Sequence, residues 1–172
     1  MGKNIKYVKV ENNGEKLILA EKRVSILDGE VKVLNEVNIE DLVSKSYKPL
    51  YPYLNPDKKA YYITEADFAT DEEGTGVVHT AAMYGVEDFE LGKKLDLPMK
   101  HLVNTKGEFT ANVEKFAGIF VKDADEKIVA DLFERNLLYK AEKIKHTYPF
   151  CWRCDTPILY YSGGDKFWGI EY

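Results

Sequence analysis

Two short stretches of this chain concentrate the residue types that do chemistry. The first is Gly74-Thr75-Gly76-Val77-Val78-His79-Thr80-Ala81, followed by Gly85-Val86-Glu87-Asp88-Phe89. Read as a strand, it puts Val77, His79 and Ala81 on one face and Val78 and Thr80 on the other. The small residues and Gly85 let a ligand come close to the backbone near His79. Asp88 falls in the first turn of a helix, where the helix dipole favours the ionised carboxylate. A carboxylate there can bind an ammonium group, and an imidazole beside it can orient water or a ligand hydroxyl. The same two residues also fit the more common uses, a hydrogen-bonded structural histidine and a helix cap.

The second stretch is Cys151-Trp152-Arg153-Cys154, preceded by His146-Thr147-Tyr148-Pro149-Phe150. Cys-x-x-Cys serves as half of a tetrahedral zinc site, as a redox pair, or as two structural thiols. A thioredoxin-like pair opens a helix, and Pro157 three residues past Cys154 would break it, which weighs against the redox use. Structural zinc needs four ligands. Cys151 and Cys154 supply two, His146 is a candidate third, and the chain holds no second Cys-x-x-Cys. Half a zinc site is the reading that fits. No Gly-x-Ser-x-Gly elbow, phosphate-binding Gly-x-x-x-x-Gly-Lys or His-Glu-x-x-His is present. Tyr47, Tyr51, Tyr53, Tyr61 and Tyr62 have faces on which bases can stack, but packing is the commoner fate of such residues.

Elements that position these residues follow from the patterning. Ile5 to Val10 alternates at period two, Asn12-Asn13-Gly14 is a turn, and Leu17 to Ala20 resumes the strand, which predicts a hairpin. Lys22 to Leu27 reads as a helical turn and Glu30 to Val37 as a strand. Asn38 is an N-cap candidate for a short helix or turn over Asn38 to Val43. Tyr47 to Tyr53 carries two prolines and is extended. Tyr61 to Thr64, Asp67 to Thr70 and Gly76 to Ala81 read as short strands. Glu87 to Leu95 and Asp123 to Leu138 read as helices, the second with Ile128, Val129, Leu132 and Phe133 on one face.

The 172 residues, with 24 Lys+Arg against 29 Asp+Glu, suit one ordinary domain without a broad basic surface for duplex nucleic acid. Apolar residues at 45% exclude a disordered chain. No apolar run reaches the ~20 residues of a membrane span, and the start is no signal peptide, so no membrane partner is expected. Two cysteines close together suit a reducing, cytoplasmic setting.

Taken together, the motifs are specific. The Gly74–Ala81 and Gly85–Phe89 segments, and His146-x-Tyr148-Pro149-x-Cys151-Trp152-Arg153-Cys154-Asp155-Thr156-Pro157, resemble the editing insertion of the isoleucyl-tRNA synthetase family. So do Phe116-Ala117-Gly118-x-Phe120-Val121-Lys122-Asp123-Ala124-Asp125 and Tyr47-x-Pro49-Leu50. The likeness runs from about Lys6 to Tyr161. The sister valyl and leucyl enzymes share the Gly-Thr-Gly strand but usually lack His-Thr after it and the Cys-Trp-Arg-Cys tail.

The resemblance implies an α+β, strand-dominated, β-barrel-like editing domain with a few short helices, set into a class I catalytic core. It implies residues 1–145 as that domain and 146–172 as the zinc half-site and connection to the core. The work implied is hydrolysis of valyl-tRNA of the isoleucine type and of valyl-adenylate, by a positioned water without metal or covalent intermediate. Asp88 matches the aspartate that binds the α-ammonium of the misacylated residue, and His79 the histidine lining the same pocket near the terminal adenosine. Thr80, Gly74, Thr75, Gly76 and Gly85 shape its wall. Implied partners are the misacylated 3′ end of isoleucine tRNA, the valine moiety or valyl-adenylate, and the rest of the synthetase chain. Zinc at Cys151 and Cys154 would need a cysteine pair from elsewhere in the enzyme, and ATP belongs to the parent's ligation of isoleucine to its tRNA.

Two substitutions depart from the family pattern. Ala82 stands where proline is usual and Glu87 where a second acid is usual, which keeps the charge. The family's Thr-Thr-Thr-Pro-Trp-Thr-Leu-Pro segment normally lies just before the strand at Ile5, and the chain is expected to be a piece that starts after it. The remaining expectations are a catalytically silent module that binds the tRNA 3′ end, and a small zinc-binding interaction module.

Overall fold

Asn13 and Gly14 both adopt left-handed backbone, with φ of 51° and 84°, and this two-residue turn closes the first hairpin. It joins β1 (Tyr7–Asn12) to β2 (Glu15–Ala20) in antiparallel register, Tyr7 facing Ala20 and Asn12 facing Glu15. β3 (Val31–Val37) pairs antiparallel with the other edge of β1, so the sheet order is β2-β1-β3. The register of β1 against β3 shifts between Lys9 and Val10. The computed structural model describes residues 1–141, 150, 152–153, 158–163 and 166–170. Two compact units emerge: Met1–Leu50 with Lys58–Ala81 and Lys93–Leu97, and Tyr51–Asp57 with Ala82–Gly92 and Pro98–Tyr172.

In the first unit the central position of β1 explains its burial. Val8, Val10 and Leu19 form one apolar cluster with Val24, Leu27 and Val31 packed against it. Tyr7 and Ala20 form another with Met1, Ile5, Val37, Ile39, Leu42 and Ile63. Each fully buried aliphatic side chain contributes about 1.5–3 kcal/mol. The expected helical turn after β2 is a 3-10 helix over Glu21–Ile26. Asn38 caps Ile39–Asp41 as its sequence predicts, its Oδ1 accepting from the Glu40 N–H at 3.1 Å.

Three strand expectations in this unit do not hold, and one of them, Asp67 to Thr70, is a turn in which the Ala69 N–H donates to the Ala66 carbonyl at 3.3 Å. Tyr61 to Thr64 makes one isolated bridge, Ser46 to Tyr62, and Tyr61 has a φ of 56° that no regular strand accommodates. Gly76 to Ala81 is irregular. Its entry is a turn with positive φ at Gly74 and Gly76, and the carbonyls of that turn bond to groups outside any ladder.

The second unit carries α1 (Val86–Lys94) as far as Gly92, α2 (Asp125–Glu134) and a hairpin of β4 (Leu159–Gly163) with β5 (Lys166–Ile170). The inward face of α2 differs from the expected one. Ile128, Asp131 and Leu132 turn inward at the helical spacing, which leaves Val129 half-exposed and Phe133 72% exposed. Asp131, only 4% exposed, is matched by three donors. Tyr51 Oη donates to Oδ2 at 2.6 Å, Arg135 Nη1 to Oδ2 at 3.0 Å, and Lys115 Nζ to Oδ1. Lys115 first, then Tyr51 and Arg135, hold the Asp131 carboxyl well below the usual carboxylate range against the opposing effect of burial. The Tyr51 hydroxyl is pushed up to about 12, first by burial and then by its bond to Asp131. Tyr51 also stacks on Tyr53 at 5.9 Å and meets Phe116 edge-on, so this tyrosine packs in the unit's interior.

The α+β class therefore holds. Among the described residues the sheet is open, a three-stranded sheet and a separate hairpin, and does not close into a barrel. No helix among them is long and apolar enough to cross a membrane.

Candidate functional site

The residues singled out in the sequence fall into two groups, one in each unit, and each is built differently.

In the first unit, Glu72 to Gly76 is held by its carbonyls. Arg23, on the 3-10 helix after β2, donates from Nε to the Gly74 carbonyl at 2.8 Å and from Nη1 to Glu72 at 3.0 Å. The Ala20 N–H at the end of β2 donates to the Thr75 carbonyl at 2.8 Å. Tyr7 Oη, buried in the cluster beneath, donates to the Gly76 carbonyl at 2.7 Å and accepts from the Gly2 N–H at 2.9 Å. Gly76 is buried with φ of 74°, and a Cβ there would stand 2.5 Å from Ala20 Cβ. Only glycine fits both the conformation and the space.

Past this anchored turn the chain is presented outward. Val77 and Val78 are 43% and 45% exposed, His79 is exposed and Thr80 half-buried. The structure thus brings Gly74, Thr75, Gly76, His79 and Thr80 together on one loop. Its rigidity comes from β1, β2 and Arg23 rather than from strand pairing. An exposed imidazole beside two exposed valines offers one polar contact and an apolar one to an incoming ligand.

In the second unit, Asp88 lies in the first turn of α1 as expected, half-buried, with Oδ1 shielded from solvent. Gly85 precedes the helix. Its carbonyl accepts from the Phe89 N–H at 2.8 Å, and the space a Cβ would take is filled by the Asp88 carboxylate. Phe89 is 2% exposed and pins the helix inward. Acids Glu87 and Asp88 at the start of α1 and Lys93 and Lys94 at its end complement the dipole. The arrangement sets the Asp88 carboxylate against a backbone that only glycine allows so near.

Four residues near this helix gave no signal in the sequence. The Tyr84 hydroxyl accepts from the Leu102 and Val103 N–H groups at 3.0 and 3.1 Å. His101 stacks flat on Tyr161, centroids 3.7 Å apart, and its Nε2 lies 2.7 Å from the Ser162 carbonyl. Since a carbonyl only accepts, Nε2 carries the proton. Nδ1 is then the bare nitrogen, buried with no hydrogen-bond partner among the described residues. Ser162 is fully buried, and its Oγ donates to the Met83 carbonyl at 3.1 Å. A lone histidine, two tyrosines and a serine scattered over 78 positions have no periodicity, so only the fold reveals them.

Burial pushes His101 below the ordinary histidine value of 6.5, against the opposing effect of the Ser162 carbonyl. The unfolded chain then binds this proton more readily than the folded one. The stability supplied by neutral His101 is complete above pH 6.5 and is lost as pH falls from 6.5 through the lowered folded value. The difference in unfolding free energy between wild type and His101→Gln is expected to be constant above pH 7 and to shrink between pH 6.5 and 5. Denaturant titrations of both proteins across that range check it, and a constant difference throughout would refute it.

Cys151 and Cys154 lie outside the described residues, as does the boundary at 145/146. Among the described residues no three His, Cys, Asp or Glu side chains gather as metal ligands do.

No family profile matches the chain. Individual relatives match nearly all of it. The isoleucine–tRNA ligase of Clostridium acetobutylicum is 52% identical over 155 residues, 90% of this chain and 15% of the relative. That of Clostridium tetani is 46% identical over 162 residues, 94% of this chain and 16% of the relative. That of Bdellovibrio bacteriovorus is 42% identical over 179 aligned positions, 99% of this chain and 17% of the relative. The chain therefore spans about one sixth of the length of the curated relatives it matches.

Proposed function

We propose that this chain, homologous to one segment of the isoleucine–tRNA ligases, is the editing part of such an enzyme, hydrolysing valine wrongly esterified to isoleucine tRNA. The observation that carries the reading is identity of 52% over 155 residues, a stretch long enough within this chain to take in positions 74–88. The anchored loop bearing His79 and the carboxylate at the head of α1 supply the chemistry that such a task needs.

The task has a physical reason. A synthetic pocket rejects a substrate smaller by one methylene only weakly, and the established figure for this enzyme family is about 150-fold. A second pocket that admits valine and excludes isoleucine raises the total. In the proposed reaction Asp88 binds the α-ammonium, and His79 orients the terminal adenosine or the attacking water. Water adds to the ester carbonyl, the ester C–O bond breaks, and the ribose oxygen leaves with a proton. Free valine and intact tRNA result. Fixing the ester and the water in one geometry supplies the rate. Valyl-adenylate is the second substrate, and the remainder of the ligase, with its ATP-dependent attachment of isoleucine, is the partner in which the segment works. Zinc, held by Cys151 and Cys154 with a cysteine pair from that remainder, would be structural.

The test is deacylation of valyl-tRNA and isoleucyl-tRNA, both of the isoleucine type, by this segment carried within a full-length isoleucine–tRNA ligase. Valyl ester is expected to be cleared at least about tenfold faster, the discrimination a single methylene allows. Equal rates for the two esters would overturn the reading. Binding of the aminoacylated end without turnover would point instead to a silent end-binding module.

A further inference from the structure

We propose that Ser162 and His101 are positioning residues for Asp88, so that strand β4 belongs to the working site; this rests on the ammonium-binding reading of Asp88 above. Asp88 is set by the turn that launches α1, residues 82–85. Every part of that turn is held. Ala82 Cβ packs where Gly92 of α1 leaves room, and a Cβ on Gly92 would come within 2.8 Å of it. The buried Met83 gives its carbonyl to Ser162 Oγ at 3.1 Å. Tyr84 takes two N–H groups from Leu102 and Val103 and meets His101 and Tyr161 edge-on, at 5.7 and 6.3 Å. Gly85, next in line, packs against the Asp88 carboxylate itself.

Ser162 is the pin of this arrangement. It is fully buried, its hydroxyl holds the turn, and its carbonyl is held in turn by His101 Nε2. His101 is fixed by stacking on Tyr161, whose hydroxyl donates to the Val103 carbonyl at 3.2 Å. A continuous set of hydrogen bonds thus runs from His101 through Ser162 to Met83, two residues before the glycine that abuts Asp88. Removing the serine hydroxyl leaves the buried Met83 carbonyl without its donor, and the turn is free to relax. The carboxylate at the head of α1 moves with it.

The experiment compares Ser162→Ala, His101→Ala, His101→Gln and Asp88→Asn in a full-length ligase carrying this segment. Hydrogen exchange is read on peptides covering α1 and α2. Ser162→Ala is expected to speed exchange at the Phe89 amide about tenfold while α2 stays unchanged, the loss of one buried hydrogen bond. Hydrolysis of the valyl ester is expected to fall by a similar factor. That of the matching ester with a hydroxyl in place of the α-ammonium stays as it was, because it does not use Asp88. His101→Gln, which keeps a donor for the Ser162 carbonyl, restores most of what His101→Ala loses. Exchange rising equally in α1 and α2, or the two esters slowing together, would overturn the proposal in favour of general loosening. Asp88→Asn separates the two ideas. If it leaves the preference for the ammonium-bearing ester intact, the function assigned to Asp88 fails, whereas the exchange data still decide whether β4 sets α1.

Discussion

Asp88→Asn is expected to slow hydrolysis of valyl-tRNA about 100-fold in a ligase carrying this segment, while leaving the fold unchanged. Asparagine keeps the shape beside Gly85 but removes the charge. A hydrogen-bonded charge pair that has lost its water is worth about 2–5 kcal/mol when one partner is truncated. Each 1.4 kcal/mol is tenfold, so a loss near 3 kcal/mol gives the stated factor. The carboxylate gains from its place in the first turn of α1, which asparagine forfeits in part. Rates on the valyl ester and on its α-hydroxy analogue should converge in the variant. Unaltered clearance of the valyl ester would show that another group binds the ammonium.

Gly76→Ala should be the most damaging small substitution in the first unit. Its φ of 74° costs an L side chain about 1–2 kcal/mol, and the new Cβ would press on Ala20 Cβ at 2.5 Å. Overpacking of this kind costs typically ~1–3 kcal/mol more. Relief by backbone movement would draw the Gly76 carbonyl off Tyr7 Oη, at present 2.7 Å away. A total of about 3 kcal/mol lowers the Tm by on the order of 10 °C for a chain of this size. Gly74→Ala is the control. Gly74 has φ of 54° but open space around it, so only the conformational part is lost. Thermal unfolding of the two variants should differ by several degrees. Equal midpoints would mean that contact with Ala20 carries no weight. The loop bearing His79 is expected to lose its fixed position in Gly76→Ala alone.

Local features were legible from residue types. Asn13-Gly14 prefers positive φ wherever it occurs, so the hairpin was plain. Asn38 carries a short side chain suited to its own backbone, and its cap formed as read. The first helix lies within one residue of its expected range at each end, and the second forms inside its range but starts two residues later and ends four residues earlier, because acids at the start and apolar spacing act within a few turns. Gly74, Thr75, Gly76, His79, Thr80, Gly85 and Asp88 were singled out as candidates from residue types and short spacing alone.

What the sequence determined by itself is thus whatever depends on neighbours along the chain: turns, caps, helix positions and the kinship carried by contiguous motifs. Tertiary structure decided the rest. Gly76 to Ala81 has the composition of a strand, yet its turn carbonyls are claimed by Tyr7, Arg23 and the end of β2, and no ladder forms over it among the described residues. The apolar face expected on α2 gave way to Asp131, because three donors from Tyr51, Lys115 and Arg135 make a buried carboxylate tolerable, and two of these come from far along the chain. Ser162 and His101 were invisible for the same reason. A hydrogen bond across 61 or 79 positions leaves no periodic trace in a sequence, because its partners are chosen by packing and not by spacing.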